Sequence, residues 1–166
     1  MRRKLLILSY KRKREGKTDY RKRLKLLKSD KLRFVVRKSL NNILTQIVKY
    51  EPNGDKILVS VHSNQLKKFG WKYHRGNTPA AYLTGLLCAL KAKKQNINEA
   101  ILDLGLQSSI KNSICYAAVK GAIDAGLKIP VDKEILPQEN RITGQFISKE
   151  INQNFIETKN KILQQK

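Results

Sequence analysis

The sequence predicts one α/β domain: a three-stranded antiparallel meander, a crossover helix, a further strand and a second helix, in the order β-β-β-α-β-α. Two patterns predict this order. Alternating apolar residues recur through residues 32–63, as in half-buried strands, and a long apolar helical stripe begins near residue 78. The 166 residues suffice for one domain with its own core and are too few for two ordinary domains. A basic N-terminal arm and a C-terminal tail flank this domain.

Positive charge is concentrated near the N-terminus. The net charge is +22, and residues 1–38 contain 17 lysines and arginines against three carboxylates, which is +14 of that total. Like charges at this density repel one another unless an anion lies against them, and nucleic acid is the densest common polyanion. We therefore expect a basic RNA-binding arm over residues 1–31, an α/β core over residues 32–128 and a C-terminal extension over residues 129–166.

Within the arm, residues 18–29 have the spacing of a short amphipathic helix, with Thr18 or Asp19 as its N-cap. A basic amphipathic helix can also lie on a membrane surface. The apolar face here is narrow and the positive charge continues into the next strand, which favours a polyanion.

The strands follow the arm. In residues 32–38 the apolar Leu32, Phe34 and Val36 alternate with Arg33, Val35 and Arg37, so one face suits a core and the other carries two guanidinium groups. Strand arginines usually point into solvent, but the adjoining arm favours a binding face. Residues 42–50 and 56–63 should pair as antiparallel strands across the turn at residues 51–55, with Ile57, Val59 and Val61 facing one way.

The loop at residues 65–77 interleaves cations with aromatic rings. Cations bind phosphates and flat rings stack on unpaired bases, which is how single-stranded or looped RNA is held. The alternative is that Phe69 and Trp71 cover the sheet edge, and for Trp71 the pattern leaves both interpretations open.

Two helices and a strand complete the core. The first helix should begin with Thr78 as N-cap and Pro79 at its first position. Residues 99–105 form a short strand that a helical crossover makes parallel to a neighbour. The second helix should have Ser108 or Ser109 as its N-cap and run through residue 127, with Gly126 suited to the C′ position.

Beyond the core, the tail has a weakly amphipathic pattern through Ile147, Ile151, Phe155 and Ile156. It could become ordered only against a partner.

No catalytic or metal-binding spacing is present in the sequence. Asp103 has no second carboxylate or histidine at a recognisable spacing, and Cys88 and Cys115 are interpreted as small core residues of a reducing compartment. We expect no enzymatic activity, cofactor or metal. The alternatives are an RNA-modifying or RNA-cleaving enzyme that uses Asp103 with His62 or Asp19, and a general polyanion-binding module for an acidic protein or membrane surface.

The apolar run at residues 5–8 is shorter than the core of a signal peptide. No stretch is long enough for a membrane span. We therefore expect a cytosolic protein without a membrane partner.

Several segments together resemble the archaeal branch of the large-subunit ribosomal protein eighteen family, whose eukaryotic relative is large-subunit ribosomal protein five. The resemblance runs from about residue 11 to about residue 144. The segments are REGKTDYRKRL (14–24), FVVRKS (34–39), VHSNQLKKFG (61–70), GNTPAAYLTGLL (76–87), AILDLGL (100–106) and KGAIDAGLKIP (120–130).

This resemblance implies a structural protein of the large ribosomal subunit in the cytoplasm. It implies that the protein binds 5S rRNA and helps attach it to the large-subunit rRNA at the central protuberance, beside neighbouring large-subunit ribosomal proteins. The positions it implies at the RNA are Lys11, Arg12, Lys13, Arg14, Lys17, Tyr20, Arg21, Lys22, Arg23, Arg37, Lys38, Ser39, Asn41, His62, Ser63, Lys67 and Lys68. The residue patterns add Arg33, Trp71, Lys72 and Arg75.

Overall fold

The computed structural model describes residues 8–164. Residues 1–7 of the predicted arm and residues 165–166 of the predicted C-terminal extension lie outside this range. Three of the four residues in the apolar run at 5–8 are therefore also outside it. No helix in the described range is both long enough and apolar enough to cross a membrane.

One four-stranded sheet forms the centre of the fold. Its strands are β1 (Arg33–Lys38), β2 (Ile43–Lys49), β3 (Lys56–His62) and β4 (Ile101–Asp103). They lie in the order β3-β2-β1-β4, with β1, β2 and β3 antiparallel and β4 parallel to β1. This confirms the predicted meander and the parallel fourth strand.

Two helices, α3 (Thr78–Lys93) and α4 (Ile114–Asp124), cover one face of the sheet, which we call the inner face. The side chains of Phe34, Val36 and Val61 are completely buried there, in one continuous core with the apolar residues of both helices. Because 13 of the 16 residues of α3 are buried, this helix forms part of the core and has no free face to offer a ligand.

Both predicted helix starts were wrong, the first by one residue and the second by four or five. Asn77, and not Thr78, caps α3, because its Oδ1 accepts the N–H of Ala80 at 3.0 Å. The N-cap of α4 is Ser113, four or five residues later than predicted, because Asn112 has a positive φ angle that a helix cannot contain. Gly126 lies just past the end of α4 in the left-handed conformation, as predicted, but the helix ends at Asp124 and not at residue 127.

Ile57 does not face the core, contrary to the sequence pattern. The register of β2 and β3 shifts between Ile47, which faces Val59, and Val48, which faces Ile57, so Leu58 has no partner. An extra residue in one strand turns the side chains beyond it to the opposite face. Ile57 is consequently 53% exposed, while Leu58 packs against the core.

The C-terminal residues form a short helix, α5 (Glu139–Ile142), and a long one, α6 (Lys149–Leu163). The long helix packs against the protein's own core, with Ile151, Phe155 and Ile162 buried. Ile147 and Ile156, which the sequence pattern placed on the same stripe, are exposed.

Candidate RNA-binding surface

The N-terminal arm contains two short helices, α1 (Lys11–Arg14) and α2 (Tyr20–Leu27). The Oδ1 atom of Asp19 accepts the N–H groups of Arg21 and Lys22 at 2.9 and 3.2 Å. Asp19 is therefore the N-cap of α2, one of the two candidates that the sequence offered. The cap begins the helix just before its basic residues.

Most predicted cations of the arm point into solvent. Lys11, Arg12, Lys13, Arg14, Lys17, Arg21 and Lys22 are exposed, whereas Tyr20 and Arg23 are half-buried. The Tyr20 ring lies 5.0 Å from that of Tyr10, measured between ring centroids, so it has an intramolecular partner. The exposed side chains leave a dense set of cations available to a polyanion.

A groove of about 780 Å³ separates the arm from the outer face of the sheet, which is the face opposite α3 and α4. Its apolar lining includes Val35, Ile57 and Leu102, and its cationic lining includes Lys22 and Arg37. The groove therefore combines an apolar floor with a positively charged rim.

Lys25 also lines this groove, although the sequence analysis did not select it. It lies three residues after Lys22 on the same helix, so the two share one face. Helical spacing was the signal that would have identified it.

Arg33 lies beneath the groove and is only 3% exposed. Its guanidinium group contacts the carboxylates of Asp55 and Asp103 at 2.7 and 3.0 Å. A buried charge requires such partners. Nη1 of Arg33 donates to Asp103, whereas its buried Nε atom has no hydrogen-bond partner among the described residues. The prediction that Arg33 faces RNA is corrected accordingly.

Asp55 ends the turn between β2 and β3 and has a second cationic partner, Arg23 of α2, at 2.9 Å. Burial of the Asp55 carboxyl opposes its ionisation, but the hydrogen bond and positive charge of Arg33, together with Arg23, outweigh burial. The pKa of Asp55 is consequently lower than its ordinary value.

Arg37 lies at the edge of the groove with a fixed orientation. Its guanidinium group donates to Asp103 Oδ1 at 3.0 Å, to the Asp103 carbonyl at 2.7 Å and to the Val36 carbonyl at 2.8 Å. The guanidinium also lies against Gly105, where a Cβ atom would come within 2.9 Å of Arg37 Cζ. The side chain is still 41% exposed, so a held but accessible guanidinium faces solvent.

The turn after β1 presents a second polar group of predicted residues. Lys38, Ser39 and Asn41 are exposed. The Ser39 hydroxyl is used inside the turn, because it donates to the Asn42 carbonyl at 3.0 Å and accepts from the Asn42 N–H at 3.1 Å. The loop before α3 packs directly against this turn, since a Cβ on Gly76 would lie 2.9 Å from the Leu40 carbonyl oxygen.

The end of β3 contributes His62 and Ser63. His62 is half-buried, and its Nδ1 accepts the Asn64 N–H at 3.1 Å. Ser63 is completely buried; its hydroxyl donates to Asn42 Oδ1 at 3.3 Å and accepts from the Ile43 N–H at 3.1 Å. The prediction of an RNA contact by Ser63 is corrected, because its hydroxyl joins two strand ends inside the protein.

In the loop at residues 65–77 the basic and the aromatic side chains have different environments. A 3-10 helix over Ser63–Phe69 exposes Lys67 and Lys68. Lys72 is exposed, and the half-buried Arg75 donates to Asn64 Oδ1 at 2.6 Å. The cations of this loop remain at the surface.

Trp71 in the same loop is 3% exposed, belongs to the core and donates from Nε1 to the His74 carbonyl at 3.2 Å. Of the two interpretations left open, the structure therefore supports the core residue and not the stacking platform. A buried ring cannot stack on a base without unfolding the loop.

Asp103 has the surroundings of an ion-paired structural residue. Its two carboxylate oxygens contact Arg33 and Arg37, and Oδ1 also accepts the Gly105 N–H at 2.8 Å. Among the described residues no cluster of His, Cys, Asp and Glu has the geometry of a metal site. Asp103 thus has no oxygen free for the chemistry that an enzyme would require.

The fold and these surfaces define a class of protein, an α/β domain with a dense set of exposed cations on its N-terminal arm. The chain belongs to the family described as ribosomal large subunit proteins 60S L5 and 50S L18, whose family model matches residues 6–99. A similar relative is the large ribosomal subunit protein uL18 of Thermofilum pendens, 54% identical over 138 residues, which are 83% of this chain and 70% of the relative.

This membership confirms the resemblance drawn from the sequence segments. The protein is a structural component of the large ribosomal subunit, it acts in the cytoplasm, and it is not an enzyme.

Proposed function

We propose that this protein binds 5S rRNA and helps attach it to the large-subunit rRNA at the central protuberance, beside neighbouring large-subunit proteins. The observation that carries the proposal is the shared groove. Lys22 and Lys25 from the arm line it together with Arg37 from β1, so cations that are distant in sequence surround one site. Family membership supports RNA as the polyanion.

Two groups of residues form the proposed interface. The first is the arm within residues 1–31, which faces the core domain of residues 32–128 across the groove. The second lies around the turn after β1 and the loop before α3. The proposed contacts are Lys11, Arg12, Lys13, Arg14, Lys17, Tyr20, Arg21, Lys22, Arg23, Lys25, Arg37, Lys38, Ser39, Asn41, His62, Lys67, Lys68, Lys72 and Arg75.

Most of these contacts would be made to phosphates and sugars. Lys and Arg predominate among the exposed members, and such contacts position an RNA without reading its bases. Asn41 and His62 are the members best suited to contact base edges or 2′-hydroxyls, because an amide and an imidazole can both donate and accept hydrogen bonds, whereas Lys and Arg only donate. Recognition would therefore depend on the shape of the RNA more than on its sequence.

A competition experiment tests the proposal. Labelled 5S rRNA is bound by the full chain at increasing salt, with tRNA as the competitor. We expect 5S rRNA to be preferred by orders of magnitude. We also expect log affinity to fall with log salt at a slope of about −0.7 to −0.9 for each phosphate neutralised.

Charge-removal variants locate the interface. Replacing Arg21 and Lys22 with Gln should weaken 5S rRNA binding and reduce the salt slope. The matched control replaces Lys93 and Lys94, which are exposed at the end of the helix that covers the opposite face of the sheet, and should change binding little. Equal competition by tRNA would instead leave a general polyanion-binding module, and a slope near zero would contradict the electrostatic basis of binding.

A further inference from the structure

Five side chains of alternating charge form a continuous row across the outer face of the sheet. The row runs Arg23, Asp55, Arg33, Asp103, Arg37. Successive members are joined at 2.9, 2.7, 3.0 and 3.0 Å. It begins in α2, passes through the turn before β3 and the strands β1 and β4, and ends at the edge of the groove. The row therefore connects the arm to the rigid sheet.

The middle of the row is more deeply buried than its ends. Arg33 and Asp103 are almost completely buried, and a pair in this environment is held firmly because neither charge can return to water without a large cost. Asp55 and Arg23 are partly exposed, with 26% and 35% of their side-chain surface accessible. Asp55 is thus the link between a fixed buried charge and a surface helix.

The arm helix has few other attachments. No residue of α2 is buried. Among residues 8–164, the contact between Arg23 and Asp55 is the one hydrogen bond that joins a side chain of α2 to the sheet or its turns. Eight residues are also too few for a helix to be stable alone in water. The position of α2 over the groove therefore depends strongly on Asp55.

We infer that Asp55 is a positioning residue for RNA binding: through Arg23 it holds α2 over the sheet before RNA arrives, so that Lys22, Lys25 and Arg37 surround a preformed groove. This inference rests on the proposed function. An arm already in place loses less conformational entropy on binding than a free one, and affinity increases accordingly.

A positioning role for Asp55 predicts an effect on RNA binding opposite to the one that net charge alone predicts. Removing a carboxylate from a protein of net charge +22 should strengthen binding to any polyanion. Removing a carboxylate that positions the arm should weaken binding to the RNA that the groove fits. The sign of the effect therefore separates the two roles of Asp55.

The experiment compares Asp55→Asn with wild type in the full chain. Hydrogen exchange of the RNA-free protein should be faster in α2 of the variant and unchanged in α3. Binding to 5S rRNA should weaken about two- to fivefold, the range for losing a partly exposed ion pair, whereas binding to tRNA should be unchanged or tighter. Asp55→Glu should restore both readouts.

The matched control is Glu51→Gln, which removes the same charge from the same turn. Glu51 has no ion-pair partner among the described residues. This control should leave exchange in α2 unchanged and should not weaken binding to either RNA.

Two results would overturn the inference: unchanged exchange in α2 of Asp55→Asn, or tighter binding of that variant to both RNAs. A wild-type protein that binds 5S rRNA and tRNA equally would overturn the proposed function instead. In that case the exchange data alone would decide whether Asp55 positions the arm.

Discussion

Two glycines set the distance between the helices on the inner face. Gly85 of α3 lies against the Ala118 carbonyl group of α4, and Gly121 of α4 lies against the Tyr82 carbonyl group of α3. A methyl group at either position would occupy the space of a backbone oxygen. Because backbone atoms of a helix cannot move aside individually, such a group would force the two helices apart.

Gly85→Ala should therefore lower the free energy of unfolding by about 3 kcal/mol or more, the upper range for overpacking a core. Urea denaturation measures the change. Gly16→Ala is the control, because its methyl group meets no atom within 4 Å and its positive φ should cost only about 1–2 kcal/mol. Equal costs for the two variants would show that the helix contact has room for a side chain.

At the scale of single elements, α6 shows how an extension can become part of the core. The Phe155 ring packs against Tyr82 of α3 with a centroid distance of 5.5 Å. Ser148 caps the helix by accepting the Ile151 N–H at 3.2 Å. Asn154 also donates to the Gly70 carbonyl at 3.1 Å, so the helix closes over the loop that contains Trp71.

Phe155→Ala should lower the free energy of unfolding by about 3–5 kcal/mol, because a buried aromatic ring is lost and a cavity remains. Ile156 is the neighbouring control, since it is 49% exposed and its replacement by Ala should cost below about 1 kcal/mol. Thermal or urea unfolding monitored by circular dichroism compares them. Similar costs for both substitutions would contradict the docking of α6.

At the scale of the whole molecule, the net charge opposes the folded state. The charge of +22 is confined to a compact volume, where self-repulsion is stronger than in the expanded chain. Exposed ion pairs such as that between Lys17 and Glu15 contribute little to stability. Salt that screens them therefore costs the folded state little. Screening should therefore stabilise this protein on balance.

We expect the midpoint of thermal unfolding to rise by several degrees as NaCl increases from about 50 to about 500 mM, because the Debye length falls from more than 10 Å to a few Å. Differential scanning calorimetry of the RNA-free protein measures this rise. The midpoint should rise less for a variant in which Gln replaces Lys13, Lys22, Lys25 and Lys28. A midpoint that falls with salt would show that attractive ion pairs outweigh the repulsion.

Local sequence was sufficient to predict the order and type of the core elements. Alternating apolar residues predicted β1 and β2, the residues of the turn at 51–55 predicted the hairpin, and Gly126 marked the end of α4, because each signal depends on neighbours along the chain. The start of α4 was not predictable in this way. Ser108, Ser109 and Ser113 are equivalent as potential caps, and only the turns before Ile114 distinguish them.

The sequence by itself determined the α/β order, the concentration of charge near the N-terminus and the family. The tertiary structure decided which predicted side chains can reach a ligand. Arg33 is buried because it meets Asp103, which lies 70 residues away in the chain, and Trp71 is buried partly because α6 closes over its loop. Burial and ion pairing depend on residues that are distant in sequence and close in space, and no local pattern records that proximity.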